Sequence, residues 1–169
     1  MISSLSPTGR EILRTVGLSE LAVSAAKEEV LVTYSLGSCL GLSLYAPSLG
    51  AAGLLHCMLP QASLDPEKAR RRPAMFVDAG VQALVDAMIA RGANRRRLIA
   101  KVAGGANVFD DHGMFRIGER NYATLRKVLW RNDILIAAED IGGTKARTMY
   151  VSVATGRVVL RMGTEQVEL

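Results

Sequence analysis

Apolar and polar positions along the chain follow two periods, and the strongest signal is the run from Val30 to Leu64, which contains no Lys, Arg, Asp or Glu. Within it, Val30 to Tyr34 is β-branched and apolar, which predicts a buried strand broken by Leu36-Gly37-Ser38. Leu40, Leu42 and Leu44 then alternate with Gly41, Ser43 and Tyr45, the period of a second strand. Ala46 to Gly50 carries turn residues, and Ala51 to Leu59 reads as a third strand ended by Pro60. Upstream, Glu20 to Ser24 predicts a short strand, and residues 1–17 a mobile or loosely docked arm.

Downstream the period changes to that of helices. Pro73 is placed as the first residue of a helix running to about Arg91, with Gly92 as its stop and Met75, Phe76, Ala79, Ala83, Leu84, Ala87 and Met88 as its apolar face. Leu98 to Ala103 reads as a strand leading into Gly104-Gly105-Ala106-Asn107. Ile117 to Arg131 predicts a second helix with Tyr122, Leu125, Val128 and Leu129 inward. Ile134 to Ala138 predicts a strand, Glu139 to Gly143 a polar loop, and Thr148 to Ala154 with Val158 to Met162 a hairpin about Thr155-Gly156. Several strands with two unevenly placed helices define a single α+β (mixed α/β) domain spanning residues 1–169.

Composition narrows the function classes. Two cysteines argue against a disulfide scaffold, and four Cys and His residues in all, without metal-site spacing, argue against a metal centre; no cofactor is expected. Met1–Thr15 lacks a basic start followed by an apolar segment, and the charge-free run carries too many Gly, Ser, Pro, Gln and His residues for membrane insertion. A cytoplasmic protein with free thiols is expected. The net charge of +5 is concentrated in Lys68, Arg70, Arg71, Arg72 and in Arg91, Arg95, Arg96, Arg97. No aromatic residues interleave with these clusters, so they read as solvated surface rather than as a nucleic-acid interface.

The charge-free run also holds both cysteines and His56. If its last two strands pair about Pro47-Ser48, Tyr45 faces Gly50, Leu44 faces Ala51 and Cys39 faces His56, at the roughly 4.5–5.5 Å Cβ spacing of directly opposed residues. A thiol and an imidazole so placed suit nucleophilic chemistry through a thiolate–imidazolium pair. The small residues Gly37 and Ser38 would let backbone N–H groups approach an oxyanion. Cys57 points to the opposite face and reads as core, and His112 as a surface histidine. Gly104-Gly105 is not followed by Lys-Ser/Thr, so the phosphate-loop reading fails.

Leu36-Gly37-Ser38-Cys39 with His56-Cys57-Met58-Leu59-Pro60 resembles the LGSC…HxMLP signature of the chemoreceptor glutamine deamidases, the CheD family. Lys101 to Phe109 resembles its K-x-x-GGA-x-M-F segment, Ile117-Gly118-Glu119-Arg120-Asn121 its IG-x-RN, Ala138 to Gly143 its AEDxGG, and Thr155-Gly156 its closing turn. Val108 stands where Met is usual, and Ala146 where Gly is usual. The resemblance implies a layered sandwich of mixed β-sheets with helices outside, similar to glutamine-deamidating toxin catalytic domains. It implies Cys39 as nucleophile, His56 as its partner and Thr33 as a supporting hydroxyl. It further implies deamidation of glutamines on methyl-accepting chemotaxis receptors and, in some bacteria, binding of the CheY-phosphate phosphatase CheC. The competing readings are a non-catalytic chemotaxis adaptor and a receptor glutamyl methyl esterase.

Overall fold

A hairpin with almost no exposed side chains must be covered on both faces, and that requirement sets the architecture. The computed structural model describes residues 4–7, 9–108 and 116–169. Its strands are β1 (Ile12–Thr15), β2 (Glu20–Ser24), β3 (Glu29–Leu36), β4 (Leu40–Ala46), β5 (Ala51–Cys57), β6 (Ile99–Gly104), β7 (Ile136–Ile141), β8 (Arg147–Ser152), β9 (Val158–Met162) and β10 (Glu165–Glu168). The helices are α1 (Pro66–Arg71), α2 (Val77–Ala90) and α3 (Ile117–Arg131). One five-stranded sheet runs β2-β5-β4-β6-β7 and the other β1-β3-β8-β9-β10. Both are mixed: β6–β7 and β1–β3 are parallel, the remaining pairs antiparallel.

Alternation along β4 and β5 sorts their side chains between two cores. Leu40, Leu42, Leu44, Leu55 and Cys57 pack with Val81, Leu84 and Met88 of α2 and Leu125 and Leu129 of α3. On the other face, Ala52 and Leu54 meet Leu31, Leu36, Met149, Val151 and Leu160 of the second sheet. The result is three layers, helices over sheet over sheet, each large buried aliphatic contributing about 1.5–3 kcal/mol.

The architecture agrees with the α+β expectation, and several boundaries move. Within the segment expected to be a mobile or loosely docked arm, Ile12–Thr15 pairs with β3, Val16 is buried, and Leu5 packs on Val30 and Val159. Pro73 opens only a 3-10 turn; Phe76 stays extended with its ring buried, and the helix proper begins at Val77. The buried face of α2 is therefore Val77, Gly80, Val81, Leu84, Val85 and Met88, with Ala79, Ala83 and Ala87 only half-buried. β7 continues through Glu139 and Asp140, part of the expected polar loop, because an edge strand leaves such side chains room beside solvent. The helix α1 and strand β10 carry no apolar period to announce them; α1 buries nothing and β10 is exposed throughout.

The hairpin register also differs from expectation. Ala46 pairs with Ala51, Gly41 with His56 and Leu40 with Cys57, so the turn holds four residues, Pro47 to Gly50, and each partner lies two positions further on. A two-residue shift preserves which face every side chain occupies. No helix among the described residues is long and apolar enough to cross a membrane.

Candidate active site

A polar pair of side chains bridges the interface between the two sheets. Thr33 on β3 and His56 on β5 are both buried, with Thr33 Oγ1 2.7 Å from His56 Nδ1 and 2.7 Å from the carbonyl oxygen of Val16. A carbonyl can only accept, so the single hydroxyl proton lies on the bond to Val16. Nδ1 must then carry the imidazole proton and donate it to Thr33. The neutral tautomer is fixed: Nε2 bears the free lone pair, and it has no hydrogen-bond partner. Backbone contacts hold the ring's base from both sides, through the Glu20 and Gly41 rungs and the Ser19 N–H donating to the His56 carbonyl. Thr33 thus stands as acceptor from the imidazole.

After Thr33 the strand is interrupted. The register with β8 slips between Thr33 and Leu36, and Ser35 takes φ 58, a bulge that turns the chain out of the sheet. Leu36 is fully buried and re-anchors it before Gly37, Ser38 and Cys39. The carbonyls of this loop are all engaged. Gly37 O accepts from Ala106 N–H (2.8 Å) and Cys39 O from Gly105 N–H (2.9 Å). Ser38 O accepts from Asn121 Nδ2 (3.0 Å), which also donates to Met58 O (2.9 Å). The Gly37 N–H donates to Ser35 O, whereas among the described residues no carbonyl takes the N–H of Ser38 or Cys39, and that of Cys39 meets only its own sulfur.

Two glycines make this possible. A Cβ on Gly104, which has φ +114, would lie 2.2 Å from the Cys39 carbonyl oxygen, so the Gly37–Cys39 loop can rest on β6 only where there is no side chain. A Cβ on Gly118 would meet the Gly105 carbonyl oxygen at 2.5 Å, so the first turn of α3 sits directly on the Gly-Gly segment. That closeness brings Asn121, one turn on, within reach of the loop. Asn121 is fully buried, and its Oδ1 has no partner. Sequence reasoning assigned it no role, although its spacing from Gly118 and Leu125 sets it on the inward stripe of the helix. A second brace lies behind: the buried Arg147 bonds Asp140 (Nε to Oδ1, 2.8 Å) and the Gly142 carbonyl (2.7 Å), and Gly142 N–H donates to Gly104 O.

Cys39 precedes β4 and extends its inter-sheet face through Gly41, the residue opposite His56. The thiol and imidazole are thus diagonal rather than directly opposed, a spacing nearer 7–8 Å at the backbone. In this state they share no hydrogen bond. Their electrostatics also depart from expectation. Burial lowers the His56 pKa to about 4. Burial raises that of Cys39, offset in part by its own backbone N–H. Both shifts favour the neutral forms, a thiol beside an imidazole with Nε2 available as base, over the expected thiolate–imidazolium pair, because the desolvation that disfavours each charge is not repaid by contact between them. Cys57 is fully buried on the helix side, its thiol raised far above the ordinary range by burial and donating to Leu40 O (3.6 Å).

The structure thus brings together Thr33, His56 and the Gly37–Cys39 loop. His112 lies outside the described residues. Val108 Cγ2 is 3.4 Å from where a Gly37 Cβ would stand, so this unusual residue packs beside the cysteine loop. Among the described residues no cluster of His, Cys, Asp and Glu could hold a metal ion. The two basic clusters separate: α1 follows the His56 end of β5 after a connection that holds a 3-10 turn (Ala62–Leu64), whereas Arg95–Arg97 lead into the end of β6 remote from Cys39.

Comparison with known proteins adds the following. The family profile described as CheD chemotactic sensory transduction matches residues 58–162, beginning two positions after His56. A Solibacter usitatus protein named probable chemoreceptor glutamine deamidase CheD is 49% identical over 154 residues, 91% of each chain. One from Syntrophus aciditrophicus, named probable chemoreceptor glutamine deamidase CheD 1, is 43% identical over 146 residues, 86% of this chain and 91% of that one. A protein of Archaeoglobus fulgidus with the same name as the first is 41% identical over 155 residues, covering 90% and 94%. Among solved structures, the hypothetical protein YfiH of Bacillus licheniformis aligns with TM-score 0.45 and 15% identity over 70% of this chain, which spans about half (49%) of that one.

Proposed function

Since the chain belongs to the CheD chemotactic sensory transduction family, we propose that it is a cytoplasmic protein-glutamine deamidase, converting glutamine side chains of chemotaxis receptors to glutamate and releasing ammonia. The observation that carries this reading is the imidazole of His56, locked by Thr33 with a buried, unpartnered Nε2 on the face of β4 that leads to Cys39.

In this mechanism Nε2 takes the Cys39 proton as the sulfur attacks the carboxamide carbon. A C–S bond forms, and the carbonyl π pair moves to oxygen. The N–H groups of Ser38 and Cys39 receive that oxyanion. Collapse breaks the C–N bond; the imidazolium returns its proton to the departing nitrogen, which leaves as ammonia. Water, deprotonated at Nε2, attacks the thioester carbon, expels the Cys39 sulfur and yields the glutamate. Thr33 accepts from Nδ1 throughout and disperses the transient positive charge. Starting from neutral partners spares the enzyme a buried charge before substrate arrives.

The test is incubation with a receptor cytoplasmic fragment followed by peptide mass spectrometry. Conversion of glutamine to glutamate by the wild-type chain, and none by a folded Cys39→Ala variant, supports the reading. Binding without conversion would leave a non-catalytic adaptor. Loss of methyl groups from glutamyl esters without deamidation would make it an esterase.

A further inference from the structure

We infer that Asn121 is a positioning residue that aims the oxyanion-binding N–H of Cys39, an assignment that rests on the deamidase reading above. The β4–β5 ladder runs from Ala46–Ala51 to Leu40–Cys57 and there stops. Its next rung would join Cys39 to Met58. In its place the Asn121 amide nitrogen lies between the strand ends and spends both hydrogens on their carbonyls, Ser38 O at 3.0 Å and Met58 O at 2.9 Å. One side chain thus fixes the nucleophile's loop and the strand end carrying His56 at a set separation.

The consequence lies in peptide geometry. The Ser38 carbonyl and the Cys39 N–H belong to one planar trans unit and point in opposite directions. Holding the carbonyl toward α3 turns the Cys39 N–H away from it, to the side of its own sulfur, where among the described residues no carbonyl takes it. The same relation holds one unit earlier, where Ala106 N–H holds Gly37 O and so turns out the Ser38 N–H. Backbone supplies the first restraint, and a side chain is needed only for the second. The unpartnered Oδ1 of Asn121 fits this division, since only the NH₂ end of the amide has partners here. A carboxylate in its place would set two oxygens against two carbonyls.

The experiment separates attack on a carbonyl from simple thiol reactivity. Four quantities are measured for wild type and Asn121→Ala. These are kcat and KM on a receptor cytoplasmic fragment, affinity for a peptide carrying glutamate γ-semialdehyde in place of glutamine, and the rate of Cys39 alkylation by iodoacetamide. The aldehyde adds the thiol across its C=O bond and so creates the oxygen that the loop N–H groups bind, whereas alkylation displaces iodide and forms no such oxygen. The expected result is a kcat lowered about a hundredfold, as for loss of one oxyanion donor, with weakened aldehyde binding. KM and alkylation should remain within about twofold, the scale of a change that spares binding and the thiol. Unchanged kcat or aldehyde affinity overturns the inference, as does alkylation falling in step with kcat, which would show a merely displaced loop. Should Asn121→Ala not fold, Asn121→Leu, which fills a similar volume with neither donor nor charge, gives the same comparison. In the wild-type chain, aldehyde binding should move the Cys39 amide proton downfield, and its failure to move counts equally against the proposal. A wild-type chain that shows this shift yet never deamidates a receptor fragment would instead refute the function proposed above.

Discussion

Replacing Thr33 by Val tests the most specific feature of the site. Val preserves the branched shape but removes the oxygen that takes the Nδ1 proton and gives its own to Val16 O. Both orphaned groups lie in residues no more than 3% exposed. Leaving a buried donor or acceptor unpaired costs about 1–3 kcal/mol, so stability should fall by roughly 2–6 kcal/mol, tolerable against a typical 5–15 kcal/mol. The catalytic loss is separable. A hydrogen bond to the charged imidazolium contributes about 1.5–3 kcal/mol, and about 1.4 kcal/mol changes a rate tenfold. Deamidation should therefore slow by about ten- to two-hundredfold under conditions where the variant is folded. The assays are ammonia release from a receptor fragment, a urea unfolding curve, and ¹⁵N NMR of the imidazole. The last should report Nδ1–H in wild type and a tautomer mixture in Thr33→Val, while Thr33→Ser should retain most of the rate. Wild-type turnover in Thr33→Val, or an Nε2–H tautomer in the native protein, would refute the reasoning.

The same geometry yields four further outcomes. Because His56 titrates near pH 4 when folded and near 6.5 when unfolded, the unfolded chain binds the extra proton first; stability should be lost as pH falls from about 6.5 to 4, by up to roughly 3 kcal/mol, and a His56→Gln variant should lack that part of the acid sensitivity in urea midpoints. With its thiol raised by burial, Cys39 should alkylate slowly at neutral pH and faster only above the ordinary thiol range of about 8.5; rapid labelling at pH 7 would restore the ion-pair picture. Gly104→Ala should cost about 1–3 kcal/mol and nearly all activity, since its methyl meets the Cys39 carbonyl; full turnover would show that the loop need not rest there. If the receptor surface is acidic, Arg71→Glu with Arg72→Glu, beside the His56 end of β5, should lower kcat/KM at low salt. Charge reversal at Arg95, Arg96 and Arg97, about 20 Å away along β6, should not, and equal effects would rule out local steering.

Much of this site was legible because it is built on strand alternation. Leu40, Leu42 and Leu44 fix one face of β4, which assigns Cys39 and Gly41 to the other; the same rule parts His56 from Cys57. A register misplaced by two residues leaves those assignments intact, whereas a shift of one would have exchanged them. The opposition of Cys39 and His56 failed for a local reason: two more residues fit in the turn at Pro47 to Gly50 than the sequence alone required. Charge was harder to foresee. Residue types suggest an ion pair, but desolvation decides protonation, and desolvation depends on how closely the second sheet covers the first.

The parts that escaped the sequence depend on elements distant along the chain. Val16 and Thr33 are seventeen positions apart, and the strand preceding Val16 looked like an arm because its four residues carry no buried side chain. Yet pairing Ile12–Thr15 with β3 is what delivers the Val16 carbonyl to Thr33, and that acceptor decides which imidazole nitrogen is left as base. Asn121 is further still, eighty-three positions from Ser38. It reaches the loop only because Gly118 lets α3 descend onto Gly105 and Gly104 lets Cys39 descend onto β6. Those glycines have no visible purpose in a hydrophobic pattern. Their purpose is the absence of a side chain where three backbones converge, and that convergence lets a loop whose carbonyls are all engaged turn the N–H groups of Ser38 and Cys39 outward beside a thiol.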